Sequence, residues 1–315
     1  MADQSHRKII TIAGATGVVG RHLVAAAQQH GYQIRILTRS TGNSDLADAR
    51  PFIWDPASGR VQDSTKQALD GSDIIVNLAG ASLAEGRLTE SRKQRILQSR
   101  LDATNALIAA HRQCQNPPSV WVQASAIGYY GDCGDESVTE QHPAAANWFL
   151  ADVCQQWERA AARVLDTSQR PFRLIIARIG LVLADDAPAW RAMLLPIKLG
   201  VGGALGDGKQ WYAWIDAGDL ADALLYLATK PDASGVYNLT APEPVRQADL
   251  ARKAAQRLRR PSLLPAPAFM LRAVLGEAAD ALLLASCKAL PNNLLAENFP
   301  YKYATVDEEL THLLR

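Results

Sequence analysis

The amino-acid sequence predicts an α/β chain, a doubly wound parallel sheet with a smaller C-terminal lobe. Three observations carry this expectation. Short apolar, β-branched runs alternate with longer helical patterns from the start of the chain to Leu183. Runs such as Ile9-Ile10-Thr11-Ile12 and Ile74-Ile75-Val76-Asn77-Leu78 lack polar alternation, as parallel strands covered by helices on both faces require. A glycine-rich turn, Gly14-Ala15-Thr16-Gly17-Val18-Val19-Gly20, stands between the first run and the first helical pattern.

Taken in order, strands are predicted at 8–13, 33–38, 51–54, 73–78, 119–124 and 173–177, with helices at 18–30, 90–112 and 148–165. In the last helix Phe149, Val153, Trp157, Ala160 and Ala161 fall on one side. After Leu183 the texture changes: Gly200, Gly202, Gly203, Gly206 and Gly208 crowd one loop, and Pro261, Pro265 and Pro267 mark another irregular stretch. Between them, a helix at 219–228 and a strand at 235–239 return the chain to the first sheet. Residues 1–184, rejoined by 218–240, are expected to form the larger domain. Residues 185–217 and 241–315 are expected to form the smaller lobe.

Composition narrows the class of partner. The chain has 315 residues, 48% hydrophobic and 21% charged, which excludes a disordered, collagenous or coiled-coil protein. Lys and Arg number 33 against 32 Asp and Glu, a net charge of +1 that gathers neither nucleic acid nor an anionic membrane. Residues 269–284 are apolar but interrupted by Arg272, Glu277 and Asp280, far short of the ~20 residues of a membrane span. The cysteines, at 114, 133, 154 and 287, include no C-x-x-C pair, so reduced thiols are expected. Met1 and the polar residues that follow it lead directly into the first strand without the apolar core of a signal peptide. A cytoplasmic protein is expected. His22 and His142 are isolated, and no metal site is assigned.

The glycine turn has a physical purpose in this setting. Glycines let backbone approach a pyrophosphate, and the N-terminus of the following helix offers it free N–H groups and a positive dipole. Gly14, Thr16, Gly17, Val18, Val19 and Gly20 are therefore candidate dinucleotide contacts, the alternative being a tight strand-to-helix turn that binds nothing. At the end of the second strand, where an NAD site carries an acidic residue, the chain has Thr38 and Arg39. A guanidinium pairs with a 2′-phosphate, so NADP(H) is favoured over NAD(H), unless Arg39 is only a solvated loop charge. Leu78, Ala79 and Gly80 follow the fourth strand at the ligand-binding edge; Asn77 beside them either contributes to the site or braces the loops. Arg100, near Arg92, Lys93 and Arg95, either reaches phosphate or lies on a solvated helix face.

With the segment Gln123-Ala124-Ser125-Ala126-Ile127-Gly128-Tyr129-Tyr130-Gly131, these motifs resemble the short-chain dehydrogenase/reductase superfamily in its extended, epimerase-like form. Ser99-Arg100, Trp157-Glu158, Leu194-Leu195-Pro196, Gly202-Gly203-Ala204-Leu205-Gly206, Gln210-Trp211 and Trp214-Ile215-Asp216 sharpen the likeness to an atypical, sugar-nucleotide-epimerase-like subgroup with its own C-terminal domain. The resemblance spans essentially the whole chain. It implies a Rossmann domain holding NADP(H) through Gly14, Gly17, Gly20, Thr38, Arg39, Leu78, Ala79, Arg100 and Val182, a small-molecule substrate and, by analogy, a homodimer. Asp216 stands where the subgroup has a histidine, which leaves any role of that imidazole unassigned.

Carbonyl reduction in the superfamily uses a Ser or Thr with a Tyr-x-x-x-Lys helix, and here Leu150 and Cys154 occupy the Tyr and Lys positions. Neither can donate a proton as a phenol does or hold a fixed positive charge. Ser125 is the candidate to polarise a carbonyl, or else a loop-capping serine. Tyr129 and Tyr130 are the replacement candidates for proton transfer, or else walls of the pocket. Asp152 and Glu158 are read as surface or structural. Residues 200–216 are read as a lid over a polar ligand or as an aromatic cluster docking the second lobe. The leading reading is an NADP(H)-dependent epimerase-like oxidoreductase acting on a carbonyl or nucleotide-sugar-like compound. Its alternative is a non-catalytic NADP(H)-binding regulator or scaffold.

Overall fold

The computed structural model describes residues 7–40, 49–83, 86–167, 171–262 and 264–315. The expectation for the polar start of the chain lies, for its first six residues, outside the described residues. Seven strands form the main sheet: β1 (Ile9–Ala13), β2 (Gln33–Thr38), β3 (Arg50–Ile53), β4 (Ile74–Asn77), β5 (Val120–Ala126), β6 (Arg173–Ile179) and β7 (Gly235–Leu239). They lie in the order β7-β6-β5-β4-β1-β2-β3, every pair parallel. The chain winds outward from β1 to β3 and then crosses to the other side at β4. The crevice beyond the carboxyl ends of β1 and β4 is thus the topological switch point, where doubly wound sheets bind ligands.

Both faces of the sheet are apolar, which explains the unbroken runs. Ile10, Ile12, Ile74, Val76, Val120, Val122 and Ile175 point into one core, and Ala13, Ile75, Trp121, Leu174 and Ile176 into the other. The α-helices up to residue 275 are α1 (Val18–Gln29), α2 (Asp63–Leu69), α3 (Glu90–His111), α4 (Phe149–Ala162), α5 (Pro188–Lys198), α6 (Ala217–Thr229), α7 (Gln247–Arg257) and α8 (Ala268–Leu275), with further ones beyond. Helices α1 and α6 cover the first face with Leu23, Val24, Leu220 and Leu224, and α3 covers the second with Leu107 and Ile108. Fully burying each such side chain contributes about 1.5–3 kcal/mol.

A further core joins α5, α7 and the C-terminal helix Val306–Leu313 around Trp190, Leu194, Trp214, Leu250 and Leu310. Two-residue pairings stitch this region together: Trp211–Tyr212 runs antiparallel to Val245–Arg246, and Lys288–Ala289 runs parallel to Ser137–Val138. Residues 200–216 contribute to that packing. Tyr212 and Trp214 are buried, their hydroxyl and indole N–H donating to Leu283 and Glu243 carbonyls at 2.7 and 2.9 Å. No helix among the described residues is long and apolar enough to cross a membrane.

Candidate nucleotide-binding site and active edge

The turn after β1 is shaped by two glycines that cannot be replaced without moving backbone. Gly14 has φ +86°, and a Cβ there would lie 2.8 Å from the Leu78 carbonyl group and 2.9 Å from the Ala79 nitrogen. A Cβ on Gly20 would lie 2.3 Å from the Gly14 oxygen. Gly17 is different: its φ is −72°, and a Cβ would stand 3.4 Å from the Gly14 oxygen, an ordinary contact. The protein's own packing therefore does not require glycine at 17. Helix α1 begins at Val18 with no side-chain cap and no acidic residue in its first turn, so its leading N–H groups and dipole face outward uncompensated.

The other predicted cofactor residues gather along the same edge. Thr38 ends β2, its hydroxyl donating to the Ser40 carbonyl at 2.9 Å, and Arg39 beside it is exposed. Gly80 lies against Arg100, whose Cζ would be 3.0 Å from a Cβ at that position. The Arg100 guanidinium donates to the Ala81 and Ile96 carbonyls at 3.1 and 2.9 Å and lies over the Trp157 ring. It has no carboxylate partner among the described residues, and burial holds its pKa below the usual arginine value. Val182, in the short strand Leu181–Leu183, packs with Val18 against the core around Trp190 and Trp214 and also touches the core under α1 and α6. Asn77 is a brace: its amide donates to Thr104 Oγ1 and Gln123 Oε1 at 3.1 and 3.0 Å, while its oxygen accepts from the Ala79 N–H.

Beyond β5 a buried polar chain runs through the predicted catalytic residues. Ser125 Oγ donates to Glu158 Oε1 at 2.6 Å, and Arg178 Nε and Nη2 donate to the two Glu158 oxygens at 2.9 Å each. Arg178 Nη1 reaches the Tyr130 hydroxyl at 3.0 Å, which donates in turn to Asn238 Oδ1 at 2.8 Å. Burial alone would lower the Arg178 pKa, but the hydrogen bonds and charge of Glu158 leave it raised. Burial also pushes the Tyr130 phenol up to about 12 against the opposing pull of Arg178. Tyr129 is half-buried, its ring 3.4 Å from the Arg178 Cζ and its hydroxyl without a hydrogen bond among the described residues. Ser125 and Tyr130 thus share one network without bonding each other.

The helix positions that depart from Tyr-x-x-x-Lys face this turn. Leu150 packs where a Cβ on Gly128 would touch it at 3.2 Å, and the Cys154 thiol donates to the Ala126 carbonyl at 3.6 Å with burial raising its pKa to about 11. Asp216 caps α6, accepting from the Asp219 N–H at 2.8 Å. His22 pairs with Asp186 and His142 with Glu136, and no group of His, Cys, Asp and Glu among the described residues is arranged to hold a metal.

Comparison with known proteins decides the family. Residues 10–240 match the NAD dependent epimerase/dehydratase family, and residues 266–313 match a domain of unknown function, DUF1731. The chain belongs to the NAD dependent epimerase/dehydratase family. An epimerase family protein of Staphylococcus epidermidis is 36% identical over 304 residues, which cover 96% of this chain and 98% of that protein. The crystal structure of human epimerase family protein SDR39U1 (isoform 2) with NADPH superposes with a TM-score of 0.85 at 28% identity, covering 97% of this chain and 99% of the human one. A nucleoside-diphosphate sugar epimerase from Corynebacterium glutamicum superposes with a TM-score of 0.74 at 29% identity, over 98% of this chain and 58% of that one.

Within this epimerase/dehydratase-family chain, sequence reasoning missed Arg178 and the partnership of Glu158. A signal existed for the first: a charge inside the apolar run of a central parallel strand has to be matched. Nothing local pointed to Glu158, which lies 33 residues from Ser125 and 20 from Arg178.

Proposed function

We propose that the protein is an NADP(H)-dependent, epimerase-like oxidoreductase acting on a carbonyl or nucleotide-sugar-like compound. The observation that carries this reading is the glycine cradle, closed by backbone at Gly14 and Gly20 and open at Gly17 beside an uncapped helix N-terminus. That arrangement suits a pyrophosphate bound through main-chain N–H groups. Thr16, Val18 and Val19 line the same helix end; Leu78, Ala79, Gly80 and Val182 supply neighbouring walls. Arg39 with Thr38 suits a 2′-phosphate, and Arg100 offers a second cation that has no carboxylate partner among the described residues. The NADPH held by the human relative supports the choice of cofactor. When bound, the nicotinamide supplies hydride transfer.

The chain's own groups divide the remaining work. Ser125 is held by Glu158, whose charge Arg178 balances, so a substrate carbonyl at the edge of β5 competes with Glu158 for the one hydroxyl proton. Tyr130 is pinned by Asn238 and Arg178 and shapes the pocket. Tyr129, with its hydroxyl uncommitted, is the better-placed acid. The larger domain of residues 1–184 and 218–240 holds the cofactor, and residues 185–217 and 241–315 hold the substrate. Leu150 and Cys154 favour a second reading, a regulator or scaffold that binds NADP(H) without turnover.

Calorimetry with NADPH and NADH tests the first half, and loss of reduced nicotinamide absorbance against nucleoside-diphosphate sugars and small carbonyl compounds tests the second. Uptake of NADPH with turnover of at least one compound, lowered at least about tenfold by Tyr129→Phe, is expected. Uptake without turnover selects the regulator, and no uptake of either nucleotide ends both readings.

A further inference from the structure

Two of the four cysteines meet where the larger domain touches the C-terminal region. The Cys133 N–H donates to the Ser286 carbonyl at 2.7 Å, and the Ser286 N–H donates to Asp132 Oδ1 at 3.2 Å. On the far side the Cys287 N–H donates to the Trp211 carbonyl at 3.0 Å. Residues 132–134 are thereby held against 286–287, and Cys133 packs against the small apolar core that contains Cys287. Both thiols also contact carbonyls of one turn, Ile127–Tyr130: Cys133 Sγ lies 3.3 Å from the Tyr130 oxygen, Cys287 Sγ 3.8 Å from that of Ile127. Cys114 and Cys154 lie elsewhere, the first donating to the Lys66 and Ala110 carbonyls and the second to that of Ala126.

We infer that Cys133 and Cys287 form a dithiol modification site, which a peroxide-class oxidant converts to a disulfide joining the Tyr129–Tyr130 turn to the C-terminal region. The two thiols differ in the way such a site needs. Cys133 is partly exposed, and Cys287 is buried behind it. The neighbouring Cys287 thiol holds the Cys133 pKa below the ordinary thiol value, whereas burial drives Cys114 and Cys154 up to about 11. Cys133 is therefore the first nucleophile.

Its sulfur attacks one oxygen of hydrogen peroxide; the O–O bond breaks, and the departing hydroxide leaves as water with the Cys133 proton. The sulfenic acid so formed is attacked by Cys287 sulfur; the S–O bond breaks, and a second water leaves with the Cys287 proton. Two thiols are oxidised by two electrons, and one peroxide is reduced to two waters. The product has no S–H, so the Ile127 and Tyr130 carbonyls lose these donors while the turn gains a covalent tie.

The test exposes the full chain to equimolar hydrogen peroxide at neutral pH, alkylates the remaining thiols, and digests without reductant. Expected is a Cys133–Cys287 peptide two hydrogens lighter than the sum of its parts, reversed by dithiothreitol, with Cys114 and Cys154 alkylated. Cys287→Ser should leave a Cys133 sulfenic acid that dimedone traps, and Cys133→Ser should slow oxidation of the remaining thiols at least about tenfold. Tyrosine circular dichroism in the near ultraviolet should change on oxidation of the wild type and stay constant in Cys133→Ser. Over-oxidation of wild-type Cys133 without a link, a link through Cys114 or Cys154, or equal alkylation of all four cysteines after peroxide would each overturn the inference.

Discussion

Arg178 is a guanidinium in the interior of a parallel sheet, its side chain 4% exposed against 13% for its partner Glu158. Two hydrogen bonds at 2.9 Å and a carboxylate that also accepts from Ser125 make the charge tolerable there. Glu158→Gln keeps the shape but leaves the guanidinium unmatched, and should lower unfolding free energy by about 3 kcal/mol in urea. Replacing both partners, Arg178→Met with Glu158→Leu, should recover most of that loss, because the penalty is the orphaned charge rather than the missing pair. Glu309 presents the opposite problem. It is fully buried with neither oxygen hydrogen-bonded among the described residues, and burial, with Asp216, Asp219 and Asp185 adding repulsion, raises its pKa to about 9. The unfolded chain releases this proton near the ordinary value of 4.5, so between 4.5 and about 9 the folded chain holds one proton more. Stability must therefore fall as pH rises through that window, by up to about 1.4 kcal/mol per pH unit. Glu309→Gln should gain roughly 2 kcal/mol over the parent at pH 7 and nothing near pH 4.5, read from urea midpoints across that range.

At the scale of elements, the strand–turn–helix unit separates what the fold requires of glycine from what a ligand requires. Gly20→Ala drives a methyl into the Gly14 carbonyl, 2.3 Å away, and should cost roughly 1–3 kcal/mol. Gly17→Ala meets only an ordinary contact and should change stability by less than about 1 kcal/mol. Its methyl nevertheless faces the open helix end, so NADPH affinity in calorimetry should fall at least about tenfold. Equal loss of stability in the two variants would place the glycine requirement in packing alone. The same contrast explains what could be read from sequence. The sheet strands were legible because their runs are apolar on both faces; β5 and β6 extend past the predicted 124 and 177 to Ala126 and Ile179 because Ser125 and Arg178 are polar yet stay in the ladder. Helix α4 was legible from its apolar side but ends at Ala162, short of the predicted 165. Helix α5 was not, since Pro196 inside it reads as a breaker, and the pairing of Trp211–Tyr212 with Val245–Arg246 is too short to show a period. The fold thus follows from patterns within each run, while the Ser125–Glu158–Arg178 chain depends on residues that only the closed sheet brings together.

For the whole molecule, the question is whether the C-terminal region is an attachment or part of the core. Leu294 and Phe299 are buried in the core that β1, α1 and α6 build, and Val306 and Leu310 in the one that holds Trp190 and Trp214. Polar contacts run the same way: the Lys302 and Tyr303 N–H groups each donate to the Asp219 carboxylate at 3.0 Å, and the Tyr301 hydroxyl donates to the Thr240 carbonyl at 2.8 Å. Removing one large apolar side chain from a packed core costs about 2–5 kcal/mol, against a total stability of about 5–15 kcal/mol for a domain. A chain ending at residue 265 loses four such side chains and leaves the Asp219 carboxylate without its backbone donors. It should therefore fail to melt cooperatively and should bind apolar dyes, because two of the three large cores lose buried side chains that lie in the last fifty or so residues. The full chain should instead lose tryptophan fluorescence and far-ultraviolet circular dichroism at one shared midpoint, since Trp54 and Trp121 lie in the core on one face of the sheet, and the core on its other face shares Val182 with the one around Trp190 and Trp214. Two separated midpoints in the full chain, or a cooperative transition in the shortened one, would show the C-terminal region to be an appended unit that folds without the sheet.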